Sequence, residues 1–364
     1  MKYIWQQKGW PHFIWDARAV SGVLSEVVFK EGRFLGELAG IGFECQSQAG
    51  FEALSSEIVS SAAIEGEALN LADVRSSVAR RMEIVLTEKG AVSRELDARV
   101  DMMMDATRGW EKPMTVRRLK AWHAALFPNG YSGLAKVRAG KLRDDREGPM
   151  QVVSRYGALT RVHFEAPPAS ALSDGLKALT GWLGEDDPET PPLVRIALAH
   201  LWFLTLHPFE DGNGRLARAL TEYLLARQEQ SALRFYSLST QIQRDKAAYY
   251  DELEHAQRNS LDVTRWVGWF LSLHSRALDS AAKSLEAILK KARFWRDHAQ
   301  DDFNAHQRKM LNMLLDGFEG NLTSSKWAKI CKVSQDTAAR EIAPLVSSGV
   351  LRQEGAGRST HYVI

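Results

Sequence analysis

Apolar residues recur along most of this chain at intervals of three and four, the spacing of helices that bury one face. Between residues 17 and 126 that rhythm predicts helices over 20–28, 33–42, 51–65, 71–78 and 115–126. In the third of these, Leu54, Ile58 and Ile64 fall at helical spacing with small residues between them, and Gly66 follows as a helix-ending residue. Met102, Met103 and Met104 read as soft apolar filler ahead of the next helix. The rhythm breaks over 127–168. A loop at 127–133 and a charged turn after 137–143 lead to residues 150–164, whose pattern predicts two short strands about a glycine turn at Gly157. Ala166-Pro167-Pro168 closes that hairpin, and helical spacing returns over 169–183, 194–204, 216–225 and 244–257. Residues 278–300 read as a charged helical connector. Beyond it come helices around 310–315, 324–331 and 335–347, then a hairpin with a Gly-rich tip over 350–364.

The N-terminus departs from both periods. Trp5, Trp10 and Trp15 are spaced by five, which fits neither a helix face nor a strand, so the rings are expected to fill separate gaps in an irregular segment rather than form a ligand platform. At 364 residues the chain has room for two or three domains, and 45% hydrophobic with 25% charged residues is ordinary for a soluble globular protein. The net charge of +2 exerts no global pull towards nucleic acid or membrane. Cys45 and Cys331 lie far apart and read as unpaired, small core residues of a reducing compartment. No signal peptide and no apolar run approaching ~18 residues is visible, so the expectation is a cytoplasmic protein without a membrane span.

The chemistry concentrates in twelve residues, His207-Pro208-Phe209-Glu210-Asp211-Gly212-Asn213-Gly214-Arg215-Leu216-Ala217-Arg218, between two helical stretches. Glycines free successive backbone N–H groups to converge on an anion, and a helix N-terminus adds its positive dipole end. Asp211 is a hard oxygen ligand suited to Mg²⁺. Arg215 and Arg218, three apart, share a helix face and suit successive phosphates. His207 can take a proton from an attacking hydroxyl, while Phe209 is expected to point into the core. His200, seven residues earlier, lacks flanking metal ligands and reads as a hydrogen-bonded core histidine. No Gly-x4-Gly-Lys-(Ser/Thr) occurs, so a P-loop ATPase is not supported.

This run resembles the signature of the Fic family, His-x-Phe-x-(Asp/Glu)-Gly-Asn-Gly-Arg-x-x-Arg, at every defined position. Fic proteins mostly transfer AMP from ATP to a protein hydroxyl. The resemblance implies His207 as base, Asp211 as Mg²⁺ ligand, and the amides around Gly212 and Gly214, with Asn213, Arg215 and Arg218, as the phosphate cradle. Upstream, Ser61-Ala62-Ala63-Ile64-Glu65-Gly66 resembles the inhibitory motif (Ser/Thr)-x-x-x-Glu-(Gly/Asn) that accompanies many Fic domains. Its glutamate sits in the last helical turn, where the dipole disfavours a negative charge, and pairing with a distant cation would answer that. The resemblance implies that Glu65, with Ser61 four residues before it, pairs with Arg218 and obstructs the seat of the γ-phosphate.

By the same resemblance the 150–164 hairpin is a flap that lays the target segment beside the histidine by strand addition, with Val162 and His163 near the nucleotide. Tyr249 and Tyr250 resemble an adenine-lining pair followed seven residues later by Asn. Gln257 stands there instead, which puts base selectivity in doubt. The opening Trp-Pro-x-Phe-x-Trp-Asp resembles a domain attached to one bacterial branch of the family. The C-terminal order of elements resembles a winged helix-turn-helix. Its eight basic and five acidic residues leave a balance of +3, sparse for a dedicated DNA reader, so Arg340 and Arg358 leave DNA binding open beside protein docking or dimer contact.

The fold expected is therefore mainly α: a helical domain carrying the inhibitory motif over 1–95, an all-helical catalytic core with a β-hairpin flap over 96–277, and a connector with a winged helix over 278–364. The function expected is Mg²⁺-dependent transfer of AMP from ATP to a Ser, Thr or Tyr of a target protein, or of the chain itself. Removal of AMP at the same site, another nucleotide donor, or a DNA-binding regulator with a nucleotide-sensing core are the rivals. The family leaves a homodimer open.

Overall fold

A computed structural model describes residues 3–40, 42–86, 90–156 and 159–364. The chain divides into two compact units, Met1–Ala281 and Ala282–Ile364. The first is helical apart from small strand pairs. In chain order it comprises α1 (Ala17–Ala39), α2 (Phe43–Ile64), α3 (Leu71–Met82), α4 (Arg94–Arg108), α5 (Val116–Leu126), β1 (Tyr131–Ser132), β2 (Ala135–Lys136), β3 (Gln151–Tyr156), β4 (Leu159–Glu165), α6 (Leu172–Gly184), α7 (Pro192–Leu206), α8 (Asn213–Glu229), α9 (Leu238–Arg244) and α10 (Lys246–Arg258), with α11 (Thr264–Asp297) running past the division.

The core of this unit is α7 against α8, flanked by α4 and α6, while α2 packs on α3 and α9. From Leu193 to Leu206 only Arg195 of α7 escapes burial, and α8 is buried from Leu216 to Ala226. Pro192 opens α7 at its first position, where a missing N–H is no loss. Polar caps start α1, α3, α4, α5 and α9: Asp16, Asn70, Ser93, Thr115 and Ser237 each accept from first-turn amides.

Several expected boundaries move. One helix, α1, replaces the pair expected at 20–28 and 33–42, because Val20, Val27, Phe34 and Leu38 bury one continuous stripe across Gly32 and Gly36. Likewise α2 starts at Phe43 rather than 51. The three methionines are not filler ahead of a helix; they lie buried inside α4, which the Ser93 cap and the acidic first turn of Glu95 and Asp97 could have announced. β3 and β4 form the expected antiparallel hairpin, with an irregularity between Val152 and Val153. The Gly157 turn lies outside the described residues. Trp5 donates to the Glu165 carbonyl at 2.7 Å, and Trp10 packs edge-on to Phe13 and Trp202, so these two tryptophans serve separate contacts.

In the second unit α12 (Ala305–Leu315), α13 (Ser324–Cys331) and α14 (Gln335–Ser347) precede β5 (Arg352–Glu354) and β6 (His361–Val363). Met310, Leu311, Trp327, Ile342, Leu345 and Leu351 make its core, and Leu322 bridges to Tyr362 beside the hairpin. Cys331 belongs to this core, whereas Cys45 is only half-buried. Arg340 is exposed on α14, and the side chain of Arg358 lies outside the described residues. Among the described residues no helix is long and apolar enough to cross a membrane.

Candidate active site

The loop between α7 and α8 is held by side chains that its own motif does not contain. His207 caps α7 in the left-handed conformation (φ 47°), and Gly212 precedes α8 at φ 77°. At Gly212 a Cβ would stand 2.9 Å from the Phe127 ring, so glycine is required twice over. The Asn213 amide spans the loop, accepting from the Phe209 N–H at 3.0 Å and donating to the Phe209 carbonyl at 2.8 Å. Phe209 is buried, as expected, and stacks on His123 at 4.1 Å between ring centres. Gly140 N–H donates to His123 Nδ1 at 2.8 Å, so the proton is on Nε2, which donates to the Asp211 carbonyl at 3.1 Å. Burial lowers the His123 pKa to about 4, which keeps that tautomer neutral.

Arg143 does for His207 what His123 does for Asp211. Its Nε donates to the His207 carbonyl at 2.7 Å, its Nη2 to Pro167 at 2.6 Å and Leu206 at 3.4 Å, and its backbone N–H to Pro208 at 3.0 Å. The left-handed turn that presents the histidine is therefore clamped from outside. Neither Arg143 nor His123 belongs to a motif, and only the folded chain brings them to the loop.

A cavity of about 580 Å³ opens above this loop, roofed by β3 and β4 and walled by α10. His207, Asp211, Gly212, Asn213, Gly214, Arg218, Glu65, His163, Tyr249, Tyr250 and Gln257 all line it. Three expected residues do not. Arg215 turns aside, its Nη1 on Glu67 at 3.1 Å and its Nη2 3.6 Å from Asp211, with Glu67 paired in turn to Arg99. The Val162 carbonyl accepts from Arg258 at 2.8 Å, and Ser61 lies behind Arg218. The Asn213 side chain, taken up by Phe209, leaves only its backbone N–H for an anion. The amides of Asn213, Gly214 and Arg215 open α8 and have no partner within the helix.

Glu65 reaches into this cavity from the C-cap of α2. Its Oε1 accepts from Arg218 Nη2 at 2.8 Å, while Arg218 Nε donates to Ser61 Oγ at 2.9 Å and Nη2 to the Ser61 carbonyl at 2.8 Å. A Cβ on Gly214 would fall 2.1 Å from Glu65 Oε1, so the carboxylate rests on the backbone that opens α8. The α2 motif and the loop motif, about 150 residues apart, thus meet at one ion pair. Arg218 Nη1 is buried and finds no acceptor among the described residues. An unpaired buried donor costs about 1–3 kcal/mol, a deficit that a phosphate oxygen would remove.

Burial lowers the His207 pKa to about 4, Arg143 adding to the effect against Leu204, Glu65 and Asp211. The ring is neutral at physiological pH and able to accept a proton. His200 is a satisfied core residue: Thr221 spends its hydroxyl proton on the Ala217 carbonyl and so accepts from Nδ1 at 2.8 Å, leaving Nε2 to accept from Tyr249 at 2.9 Å. Burial pushes the Tyr250 phenol up to about 12 and Tyr249 higher still, so both rings stay neutral.

Arg138 takes Glu210 through both its backbone N–H and its guanidinium, which leaves Asp211, 3.6 Å from Arg215 Nη2, as the carboxylate of the loop to meet a cation. Its own Oδ1 accepts from Gly212 N–H, and the side chain is 44% exposed. No cluster of three or more His, Cys, Asp or Glu among the described residues is arranged for a metal. A single hard carboxylate fits Mg²⁺ that arrives with phosphate oxygens and water, not a cage made by protein alone.

Residues 113–225 match the Fic/DOC family, and residues 3–84 match a domain of unknown function, DUF4172. A protein adenylyltransferase Fic of Nematostella vectensis is 32% identical over 121 residues, covering 33% of this chain and 26% of that protein. A uridine 5'-monophosphate transferase of Xanthomonas campestris is 28% identical over 125 residues, covering 32% of this chain and 21% of that protein. The chain thus spans about a quarter of the length of these relatives. Among solved structures, a Fic family protein from Desulfovibrio desulfuricans aligns over 97% of both chains at 21% identity and a TM-score of 0.56. A Fic domain containing signalling protein from Bacteroides thetaiotaomicron aligns over 74% of this chain and 97% of its own at 18% identity and a TM-score of 0.53. The fold is that of these proteins.

Proposed function

We propose that the chain, whose residues 113–225 match the Fic/DOC family, is a nucleotidyltransferase that moves AMP from ATP to a hydroxyl of a protein, and that Glu65 holds it in check. The observation that carries this reading is the junction of Arg218, Gly214 and Glu65 at the N-terminus of α8, in the same cavity as a neutral His207. His207 takes the proton of a Ser, Thr or Tyr hydroxyl, whose oxygen then bonds to the α-phosphorus as pyrophosphate leaves. The backbone N–H groups that open α8 and the unpaired Nη1 of Arg218 receive phosphate oxygens, stabilising charge where it develops. Arg143 and His123 keep base and loop in register. Asp211 would hold Mg²⁺, which when bound neutralises phosphate charge.

Tyr249, Tyr250 and Gln257, all on α10, line the cavity and suit a nucleobase. Likeness to a uridine 5'-monophosphate transferase supports a second donor, UTP, at the same site. Glu65→Gly protein, offered cell extract with ATP labelled at the α- or the γ-phosphate, tests both readings. Label on protein from α-labelled but not γ-labelled ATP, undiminished by excess UTP, supports AMP transfer. Suppression by UTP favours the second donor, and label from γ-labelled ATP rejects nucleotidyl transfer in favour of phosphorylation.

A further inference from the structure

Beneath the flap lies a hydrogen-bonded relay separate from His207. Ser154 Oγ on β3 is 2.7 Å from His163 Nε2 on β4, and His163 Nδ1 is 2.6 Å from Glu254 Oε2 on α10. All three line the cavity that holds His207 and the α8 N-terminus. Glu254 Oε1 is also held by Arg161 at 3.1 Å and Arg258 at 3.4 Å. Burial works to raise the Glu254 pKa, but the hydrogen bonds from His163 and Arg161 outweigh it and keep the carboxylate ionised. An ionised Glu254 fixes the proton on Nδ1 and leaves Nε2 as the acceptor of the Ser154 hydroxyl. Nucleophile, base and orienting carboxylate in that order are the geometry that activates a serine. A tie between flap and α10 needs only the His163–Glu254 contact; it gives no reason for a hydroxyl on the cavity side of the imidazole.

We propose that Ser154 is an acceptor of the nucleotidyl group, so that the chain modifies its own flap, with His163 as the base for that step and Glu254 orienting it. The inference rests on the nucleotidyl transfer proposed above. His163 Nε2 takes the Ser154 proton while Oγ forms a bond to the α-phosphorus. The bond from that phosphorus to the bridging oxygen breaks, pyrophosphate leaves with the electron pair, and His163 later returns its proton to solvent. The product is a phosphodiester of AMP on β3, inside the cavity that must admit the next nucleotide.

The test uses full-length Glu65→Gly protein with Mg²⁺ and α-labelled ATP, followed by peptide mapping of the label. The expected result is label on the peptide that contains Ser154. Self-labelling at that peptide falls at least about tenfold in Glu65→Gly/Ser154→Ala, and Ser154→Thr restores it with the label on threonine. His163→Gln slows labelling about 100-fold, within the range of general-base catalysis. Label mapping only to other peptides, or undiminished self-labelling of the folded Ser154→Ala protein, overturns the proposal. Transfer to foreign proteins without label at Ser154 overturns it while sparing nucleotidyl transfer; absence of any transfer or pyrophosphate release defeats both.

Discussion

Replacing Glu65 with glycine removes one carboxylate from the phosphate end of the cavity and leaves Arg218 its two contacts to Ser61. The ion pair broken is a charged hydrogen bond of 2.8 Å, of a kind that contributes about 1.5–3 kcal/mol net. A nucleotide whose terminal phosphate uses Arg218 must displace that bond before the α-phosphate lies in line with the acceptor oxygen. At 1.4 kcal/mol per factor of ten, relief of the competition raises the productively seated population about 10- to 150-fold. The Glu65 side chain is 31% exposed, and screening moves the expected gain towards the lower end, about 10- to 30-fold. Initial rates of label transfer from α-labelled ATP to one purified acceptor measure it. Glu65→Gln, which keeps shape and loses charge, should fall between wild type and Glu65→Gly. Equal rates for wild type and Glu65→Gly, with calorimetry showing nucleotide bound to both, would refute the reasoning.

Because the His207 pKa lies at about 4, its acceptor form persists well below the usual histidine range. kcat/KM should therefore stay level from about pH 8 to 5.5 and fall only below that; an acid limb centred near 6.5 would contradict the placement of the ring. Arg143→Met should leave the carbonyls of His207, Leu206 and Pro167 short of a donor, lowering stability by about 3 kcal/mol in denaturant titrations and slowing transfer beyond what refolded protein recovers. Wild-type stability and rate in that variant would show that the clamp is idle. Burial pushes the Glu222 pKa up to about 8, against Arg234, so this carboxyl is protonated in the folded chain. The stability it contributes is present below its unfolded value near 4.5 and is lost as pH rises through 8. Glu222→Gln should flatten that decline in urea midpoints taken from about pH 5 to about pH 9, and parallel curves for the two proteins would count against a neutral Glu222.

What the sequence made legible is what short-range chemistry encodes. The 207–218 loop could be read because its glycines, carboxylate and arginines must stand at fixed spacing for the backbone to meet an anion. Glu65 was legible through the motif around it, and the pairing with Arg218 needed the fold to bring α2 onto α8. The hairpin at 150–164 showed its alternation, and His200 its lack of ligand partners. Other features were written in no local pattern. Arg215 stands at a motif position yet turns to Glu67, because an acidic partner and Phe127 draw its guanidinium away from the cavity. Val162 and His163 adjoin in sequence, but strand alternation sends only His163 into the cavity. Arg143 and His123 act through backbone carbonyls that any residue could supply, so no pairing of residue types betrays them. The continuity of α1 was hidden by glycines whose local preference tertiary burial overrides.

The measurement that bears most directly on the account compares wild type, Glu65→Gly and Glu65→Gly/His207→Ala for incorporation of label from α-labelled ATP into a separate acceptor protein, resolved from the chain itself, in the presence of Mg²⁺. Label that rises in Glu65→Gly and disappears in the double variant is the result predicted, since one residue obstructs the phosphate seat and the other takes the acceptor proton. Label that survives the loss of His207 would contradict the assignment of the base and, with it, the reading of this cavity as the site of transfer.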